Sequence, residues 1–359
     1  MISINDAILI VGGYGVVGRQ VAECINQRHP SLPLIIAGRN PSKGESLIRK
    51  LTNADIATLD VEQHEPLKGI KPRAILAAVN DPHDYLLMDA IHSGIPYMDI
   101  TRWTERLKMA VSGTSAKVFQ APVLLSSAWM AGLAAVVAVA VSRQLRSIDR
   151  IDISVLYSLK DKAGPNSAEY MDRLATPFTV MLNGEHQQVY PYTDPRKITF
   201  PDGHTAKAYR FDTPDQFTLP TTTGAKTVAA RIAFDDAMAT MLLVVLIRSG
   251  LWKLMSSKRF TPLRRSLLYN PGSGASHQIV INAVGQGESG NTKTIQATIV
   301  DSQGQTHLTA VGALIQLERL LGLDGAPPPA PGIVYPDTAP QIDSALQALG
   351  HFGVIVTMC

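Results

Sequence analysis

Ala7-Ile8-Leu9-Ile10-Val11-Gly12-Gly13-Tyr14-Gly15-Val16-Val17-Gly18 opens the chain after a short lead. The first five residues are a continuous apolar run, as a strand buried on both faces of a parallel sheet requires. Gly13, Gly15 and Gly18 then spell GxGxxG, and Val16 to Gln27 reads as an amphipathic helix. The glycines answer different demands. The first is expected to turn the chain tightly from strand to helix. The second lets a pyrophosphate approach the backbone, and the third lets the helix pack closely on the strand. The start of the helix offers free N–H groups and the positive end of a dipole to a phosphate. A lone GxGxxG is a weak signal, but one that follows a buried strand and opens a helix is a good one.

The next strand is Leu34 to Ala37, followed by Gly38-Arg39-Asn40. A protein that binds NAD needs Asp or Glu about here, to hold the ribose 2′-hydroxyl. The first carboxylate after the strand is Glu45. Arg39 stands there instead, with Lys43 nearby, and a 2′-phosphate is met by such cations. The expected cofactor is therefore NADP(H). The residues expected to bind it are Gly13, Tyr14, Gly15, Val16, Val17 and Gly18 in the turn, then Arg39, Asn40 and Lys43.

The strand–helix alternation continues. Ile56 to Leu59 reads as a third strand, with Asp60 at its end able to meet an adenine. Ala74 to Val79 is a fourth, and Val79 and Asn80 are added to the cofactor contacts. Tyr85 to Ser93 reads as a helix, Pro96 to Asp99 as a fifth strand, Glu105 to Lys117 as a helix and Pro122 to Ser126 as a sixth strand. This rhythm predicts an α/β fold, a Rossmann doubly wound parallel sheet. Ligands of such sheets lie at the carboxyl ends of the strands. Asn80, His83, Asp99, Thr101 and Ser127 fall on that side, where a capping role is the plain alternative for each.

After Ser127 the pattern changes. Ala131 to Arg143 is a largely apolar helix. Arg150 to Tyr157 alternates as a half-covered strand does, and similar runs recur at Lys207–Phe211, Lys226–Ala233, His277–Val284, Lys293–Val300 and Thr306–Ala310. A late helix covers Gly312 to Leu321. Gly325 to Gly332 is a stiff connector, and Gln341–Leu349 and Gly353–Val356 read as a last helix and strand. Residues 1–128 are thus expected to form the NADP-binding domain. Residues 129–330 form a second α+β domain with a mixed sheet, for substrate and dimerisation. Residues 331–359 form a tail able to return to the first domain.

Composition narrows the function classes. The net charge is +3 and charged residues make up 18%. The only dense basic run is Lys258-Arg259 with Arg264-Arg265, so nucleic acid is not an expected partner. Cys24 and Cys359 are too few and too far apart for a disulfide framework or a zinc site, and no HExxH is present. No metal is expected. The start has no basic region or cleavage site of a signal peptide, and a cytoplasmic protein is expected. The apolar stretches Trp129–Val141 and Ala237–Ile247 fall short of the ~18 residues a spanning helix needs. Both read as buried helices. For the second, core or homodimer packing is the plain reading. A greasy channel or contact with membrane lipid, aided by the basic run, is the sharper one.

The order of these features resembles the saccharopine dehydrogenase-like family. The likeness rests on Gly12–Arg19 (GGYGVVGR), Ala37–Asn40 (AGRN) and Ser93–Trp103 (SGIPYMDITRW), and more loosely on Tyr269–Gly274 and the Thr309–Arg319 helix. It covers about the first 130 residues well. The resemblance implies an NAD(P)-binding domain followed by an α/β domain, and hydride transfer to the C=N bond of an imine or the C=C bond of an enoyl compound. No dense cluster of arginines marks a dicarboxylate site, although folding could gather Arg102, Arg173 and Arg210. An iminium needs no acid, whereas a carbonyl or enoyl substrate needs a proton donor. Tyr157, His83 and Asp99 are the catalytic candidates, with Lys160 and Tyr170 weighed beside them. Two other readings stand against a small-molecule reductase. One is a non-catalytic NADP-binding or sensor protein, and the other a lipid-acting trans-enoyl reductase.

Overall fold

The structure is a computed structural model that describes residues 4–161, 170, 172–255, 260, 272 and 274–359. Most of Tyr269–Gly274, and the basic run Lys258, Arg259, Arg264 and Arg265, lie outside the described residues. The chain divides into two compact units. One comprises Met1–Gly132 and Thr309–Ala345, the other Leu133–Leu308 and Leu346–Cys359.

In the first unit β1 (Ile8–Val11), α1 (Val16–Arg28), β2 (Leu34–Gly38), α2 (Glu45–Ile48), β3 (Ala54–Thr58), β4 (Ala74–Ala77), α3 (Tyr85–Ser93), β5 (Tyr97–Asp99), α4 (Thr104–Thr114) and β6 (Pro122–Leu125) follow one another. A late strand, Gly332–Val334, joins the edge beside β6, and the order from that edge is β6-β5-β4-β1-β2-β3, all parallel. This is the doubly wound order, with its reversal between β1 and β4. Ile8, Leu9, Ile10, Ile75 and Leu76 are fully buried, as strands covered by helices on both faces must be. Burying each such side chain stabilises the fold by about 1.5–3 kcal/mol.

The second unit begins with α5 (Leu133–Ser142), which is buried at every position but Val139, as its apolar sequence predicts. Then come β7 (Ser147–Tyr157), β8 (Phe178–Leu182), β9 (Glu185–Val189), β10 (Arg196–Thr199), β11 (Thr205–Arg210), α6 (Asp215–Thr223), β12 (Thr227–Phe234), α7 (Ala237–Arg248), α8 (Leu251–Leu254), β13 (His277–Gln286) and β14 (Thr292–Asp301). After these the chain forms α9 (Gln305–Leu321), β15 (the late strand Gly332–Val334), α10 (Ile342–His351) and β16 (Ile355–Met358). The second sheet runs β10-β11-β12-β7-β13-β14-β16. Only β12 and β7 pair in parallel, so it is the mixed sheet expected.

Three expectations are corrected. Thr306–Ala310 is not a strand but the opening of α9. Its first N–H groups are satisfied in ways the local sequence does not reveal. The Asp161 carboxylate accepts the Gln305 N–H at 2.9 Å, and the Gly304 carbonyl accepts the Leu308 N–H. Second, β7 is not half covered, because Ser154 and Leu156 are buried along with Ile151, Ile153 and Val155. Third, α7 buries only Thr240, Leu243 and Val244, and leaves Met238, Met241, Leu242 and Val245 exposed. The hairpin β8–β9 was readable and missed. Asn183 and Gly184 both have positive φ, the two-residue turn that Asn-Gly favours.

Candidate cofactor and active site

The turn between β1 and α1 is built from backbone. The Gly12 N–H donates to the Ala37 carbonyl at 2.8 Å and the Gly12 carbonyl accepts the Gly15 N–H at 2.9 Å. Gly12 has φ +80°, and a Cβ on it would sit 2.9 Å from the Ala78 carbonyl oxygen. The tight turn therefore belongs to Gly12, whereas the sequence assigned it to Gly13, which has no positive φ. Gly18 lies against the Gly12 carbonyl and the Gly13 Cα with no room for a Cβ. Gly15 is different. It is exposed at the N-cap of α1, and a Cβ there would meet only the Gly12 carbonyl, at 3.1 Å. So Gly12 and Gly18 shape the turn, and Gly15 with the exposed Val16 keeps its outer face open. This is a cradle that a side chain at position 15 would fill, and it suits a pyrophosphate held by backbone N–H groups. The turn lies at the carboxyl ends of β1 and β4, where the sheet order reverses.

The other expected cofactor residues lie in the turn and on the segments that follow β2, β3 and β4. Tyr14 lies over the end of β2, where its hydroxyl accepts the Asn40 N–H at 2.9 Å. Gly38 makes this possible, since a Cβ there would strike the tyrosine ring. Arg39 and Lys43 are exposed beside it. Arg39 reaches Glu62 at 3.6 Å, with the two side chains 68% and 61% exposed. The end of β2 carries no carboxylate of its own, and the fold supplies one from beyond β3. Asp60 is half-buried, and its carboxylate accepts the Glu62 N–H. Val79 lies against Gly12, its carbonyl accepting the Thr101 hydroxyl, and Asn80 follows it.

Asp99 is buried in an ionic network. Its carboxylate accepts from the Arg102 guanidinium at 2.6 Å, from the Ser127 hydroxyl at 2.8 Å and from the Tyr97 hydroxyl at 3.2 Å. Arg102 also donates to Asp84, which binds Arg106 too. Burial would push the Arg102 guanidinium toward neutrality, but Asp99, Tyr97 and Asp84 more than reverse this and hold it charged. Burial and the Asp99 charge push the Tyr97 hydroxyl well up. Arg106 in turn donates to the Asp81 and Pro82 carbonyls. Asp81 caps α3 through the Tyr85 and Leu86 N–H groups, and burial raises its pKa. The network thus ties together the loops that follow β4, β5 and β6. His83 is exposed on the first of them and stacks on Tyr85.

Tyr157 belongs to the second unit and is 8% exposed. Its hydroxyl accepts from Gln305 at 2.6 Å. Beside it His277 is fully buried, with Nδ1 3.5 Å from Asp161, and His307 pairs with Asp301 at 2.7 Å. Sequence reading did not connect these residues, because the misread start of α9 hid Gln305 and His307. Tyr170 stacks on Phe211, and the Lys160 carbonyl accepts the Gly274 N–H. Arg210 pairs with Asp194 at 2.8 Å, and the same carboxylate holds Arg231 at 2.6 Å. Among the described residues no group of His, Cys, Asp and Glu could hold a metal ion, and no helix is long and apolar enough to cross a membrane.

No protein-family model matches the sequence, and no curated protein does. Among solved structures the chain is similar to an apo saccharopine dehydrogenase (L-Glu forming) from Saccharomyces cerevisiae. The identity is 13% and the TM-score 0.68, with 99% of each chain covered. It also matches an amine dehydrogenase from Mycobacterium smegmatis at 12% identity and TM-score 0.47, over 93% of this chain and 96% of that one. A mutant meso-dapdh from Clostridium tetani E88 matches at 13% identity and TM-score 0.46, over 95% of this chain and 96% of that one. Those two superpose too loosely to add to the argument. At such identities a likeness speaks for the fold alone, and it agrees with the sheet order: the chain has a saccharopine dehydrogenase-like fold, a Rossmann doubly wound parallel sheet with a second unit built on a mixed sheet.

Proposed function

We propose that the chain is an oxidoreductase that binds NADP(H) at the Gly12–Gly18 turn and reduces the C=N bond of an imine or the C=C bond of an enoyl compound. One observation carries the cofactor reading. An open glycine cradle at the point of strand reversal has the exposed cations Arg39 and Lys43 at the neighbouring strand end, where the nearby carboxylate, Glu62, is the ion-pair partner of Arg39. Gly13, Tyr14, Gly15, Val16, Val17 and Gly18 surround the pyrophosphate. Arg39, Asn40 and Lys43 take the 2′-phosphate side, Asp60 the adenine, and Val79 and Asn80 the far side of the turn. Once bound, the cofactor supplies the hydride, and the chain's residues hold and orient the partners.

The state of the candidate acids favours an imine. Asp99 is the counter-ion of the buried Arg102, and giving it a proton to donate would leave that charge unpaired. The Tyr157 hydroxyl is buried and bonded to Gln305. His83 is the exposed candidate. A substrate that is already an iminium asks for none of them. An enoyl substrate asks for a donor, and His83 is then the one to test.

Titration with NADPH and with NADH, followed by nicotinamide fluorescence, tests the cofactor reading. Tighter binding of NADPH is expected, and NADPH oxidation with a panel of imines and enoyl compounds follows. Binding of neither nucleotide would overturn the proposal. Binding without turnover of any substrate would make the chain a cofactor-binding sensor.

A further inference from the structure

The helix α7 is apolar on two faces. One face, with Leu243 and Val244, is buried. The opposite face carries Met238, Met241, Leu242 and Val245, exposed by 83%, 54%, 57% and 53%. Their spacing, i, i+3, i+4 and i+7, makes one continuous stripe along the helix. The short helix α8 adds Leu251 and Leu254, the latter 73% exposed. Isolated exposed apolar side chains are ordinary, but a stripe of four along one face of one helix is not.

Charge separates the occupants such a stripe could have. From Ala237 to Gly287 the sequence has no Asp or Glu, and Arg248 and Lys253 stand exposed at the edge of the stripe. The sequence then continues with Lys258, Arg259, Arg264 and Arg265. A second copy docking by a two-fold axis would set the same cations against each other, because the same patch faces itself. An anionic lipid surface meets both features, with acyl chains for the stripe and headgroups for the cations. That is the arrangement of a helix lying in the plane of a membrane interface. We propose that the exposed face of α7 and α8 docks the protein on an anionic lipid surface without crossing it.

The test is co-sedimentation of the full chain with vesicles. Vesicles containing phosphatidylglycerol should bind the protein, and vesicles of phosphatidylcholine alone should bind it weakly. Each lysine or arginine near an anionic surface contributes about fivefold to partitioning. Arg248→Gln with Lys253→Gln should therefore weaken binding by about 25-fold and reduce its salt dependence. Met241→Glu with Val245→Glu should abolish binding. Both positions are exposed, so thermal unfolding of that variant should match the parent. Binding to anionic vesicles at background would overturn the proposal. So would a dimer in sedimentation velocity that Met241→Glu with Val245→Glu dissolves while vesicle binding persists, since the stripe would then join two copies.

Discussion

Gly15 and Gly18 lie three residues apart in one turn, and the structure predicts opposite results for the same substitution. Gly18→Ala places a Cβ against the Gly12 carbonyl oxygen, the Gly12 carbonyl carbon and the Gly13 Cα. All are backbone, so no flexible side chain can swing aside. Overpacking of a tight site costs about 1–3 kcal/mol, and backbone on every side argues for the upper end. A glycine inside a helix is about 1 kcal/mol worse than alanine, and the substitution recovers this. The net loss is about 2 kcal/mol, roughly a 30-fold fall in the folded population relative to the unfolded. Gly15→Ala meets one atom, the Gly12 carbonyl oxygen at 3.1 Å, with φ −70° already suited to alanine. Its effect on stability should be within about 0.5 kcal/mol, because the position is exposed. Its new methyl instead points into the cradle.

The assay pairs denaturant unfolding with NADPH titration. The chain has two compact units, so the unfolding of the first must be followed by a probe within it, such as Trp103 fluorescence. Gly18→Ala should shift that transition and leave any correctly folded fraction with near-normal affinity. Gly15→Ala should leave the transition in place and weaken NADPH by tenfold or more. If Gly18→Ala proved as stable as the parent, the close approach of α1 to the turn would be wrong. If Gly15→Ala bound NADPH normally, the cradle would not be the phosphate site.

Other expectations follow from the same geometry. Arg39→Asp should weaken NADPH far more than NADH in a fluorescence titration, while Glu62→Gln should tighten NADPH up to about fivefold, since an exposed ion pair is worth at most about 1 kcal/mol. Asp99→Asn leaves the Arg102 charge buried with less compensation and should cost about 3–5 kcal/mol by urea unfolding, and Asp99→Asn with Arg102→Met should cost less than the sum of the two single changes. Asp194, although burial alone would raise it, is held below the ordinary aspartate value of 3.8 by Arg231 and Arg210. Below about pH 4 the unfolded chain therefore takes up a proton that the folded one resists, and stability falls as the pH drops. Asp194→Asn should flatten that acid limb in urea unfolding between pH 5 and 3.

The parallel sheet was legible because its strands are locally explicit. Ile8–Val11 and Ala74–Ala77 are apolar throughout, and only a strand covered on both faces needs that. Gly94 ends α3 in the left-handed conformation, so Tyr85–Ser93 could be bounded from sequence alone. The mixed sheet was harder to read at its β10 edge, which is polar: β10 reads Arg-Lys-Ile-Thr, with no apolar face that alternation could reveal. The separate β8–β9 hairpin has the same difficulty in β9, which reads Glu-His-Gln-Gln-Val. Their pairing is set by neighbours and by turns. The start of α9 illustrates the same limit, because its cap, Asp161, is 144 residues away.

The site was legible in its residue types and not in its pairings. Arg39 was visible, but the chain had to be folded before Glu62 could be set beside it. Asp99 was visible as a carboxylate at the end of a strand, where catalytic groups and structural counter-ions look alike. What separates the two is the environment. A general acid needs a pKa near the working pH and a route for its proton. Asp99 has instead three buried partners, the Arg102 guanidinium, the Ser127 hydroxyl and the Tyr97 hydroxyl, which occupy its carboxylate oxygens. Its partners Arg102 and Ser127 sit on the loops after β5 and β6, and Asp84 brings in the loop after β4. Removing the charge would loosen three loops on the ligand-facing edge of the sheet at once. Loss of activity in an Asp99 variant therefore cannot by itself make Asp99 the proton donor. An unchanged pH profile in the residual activity would mark it as a positioning residue, and a lost alkaline limb would mark it as the acid.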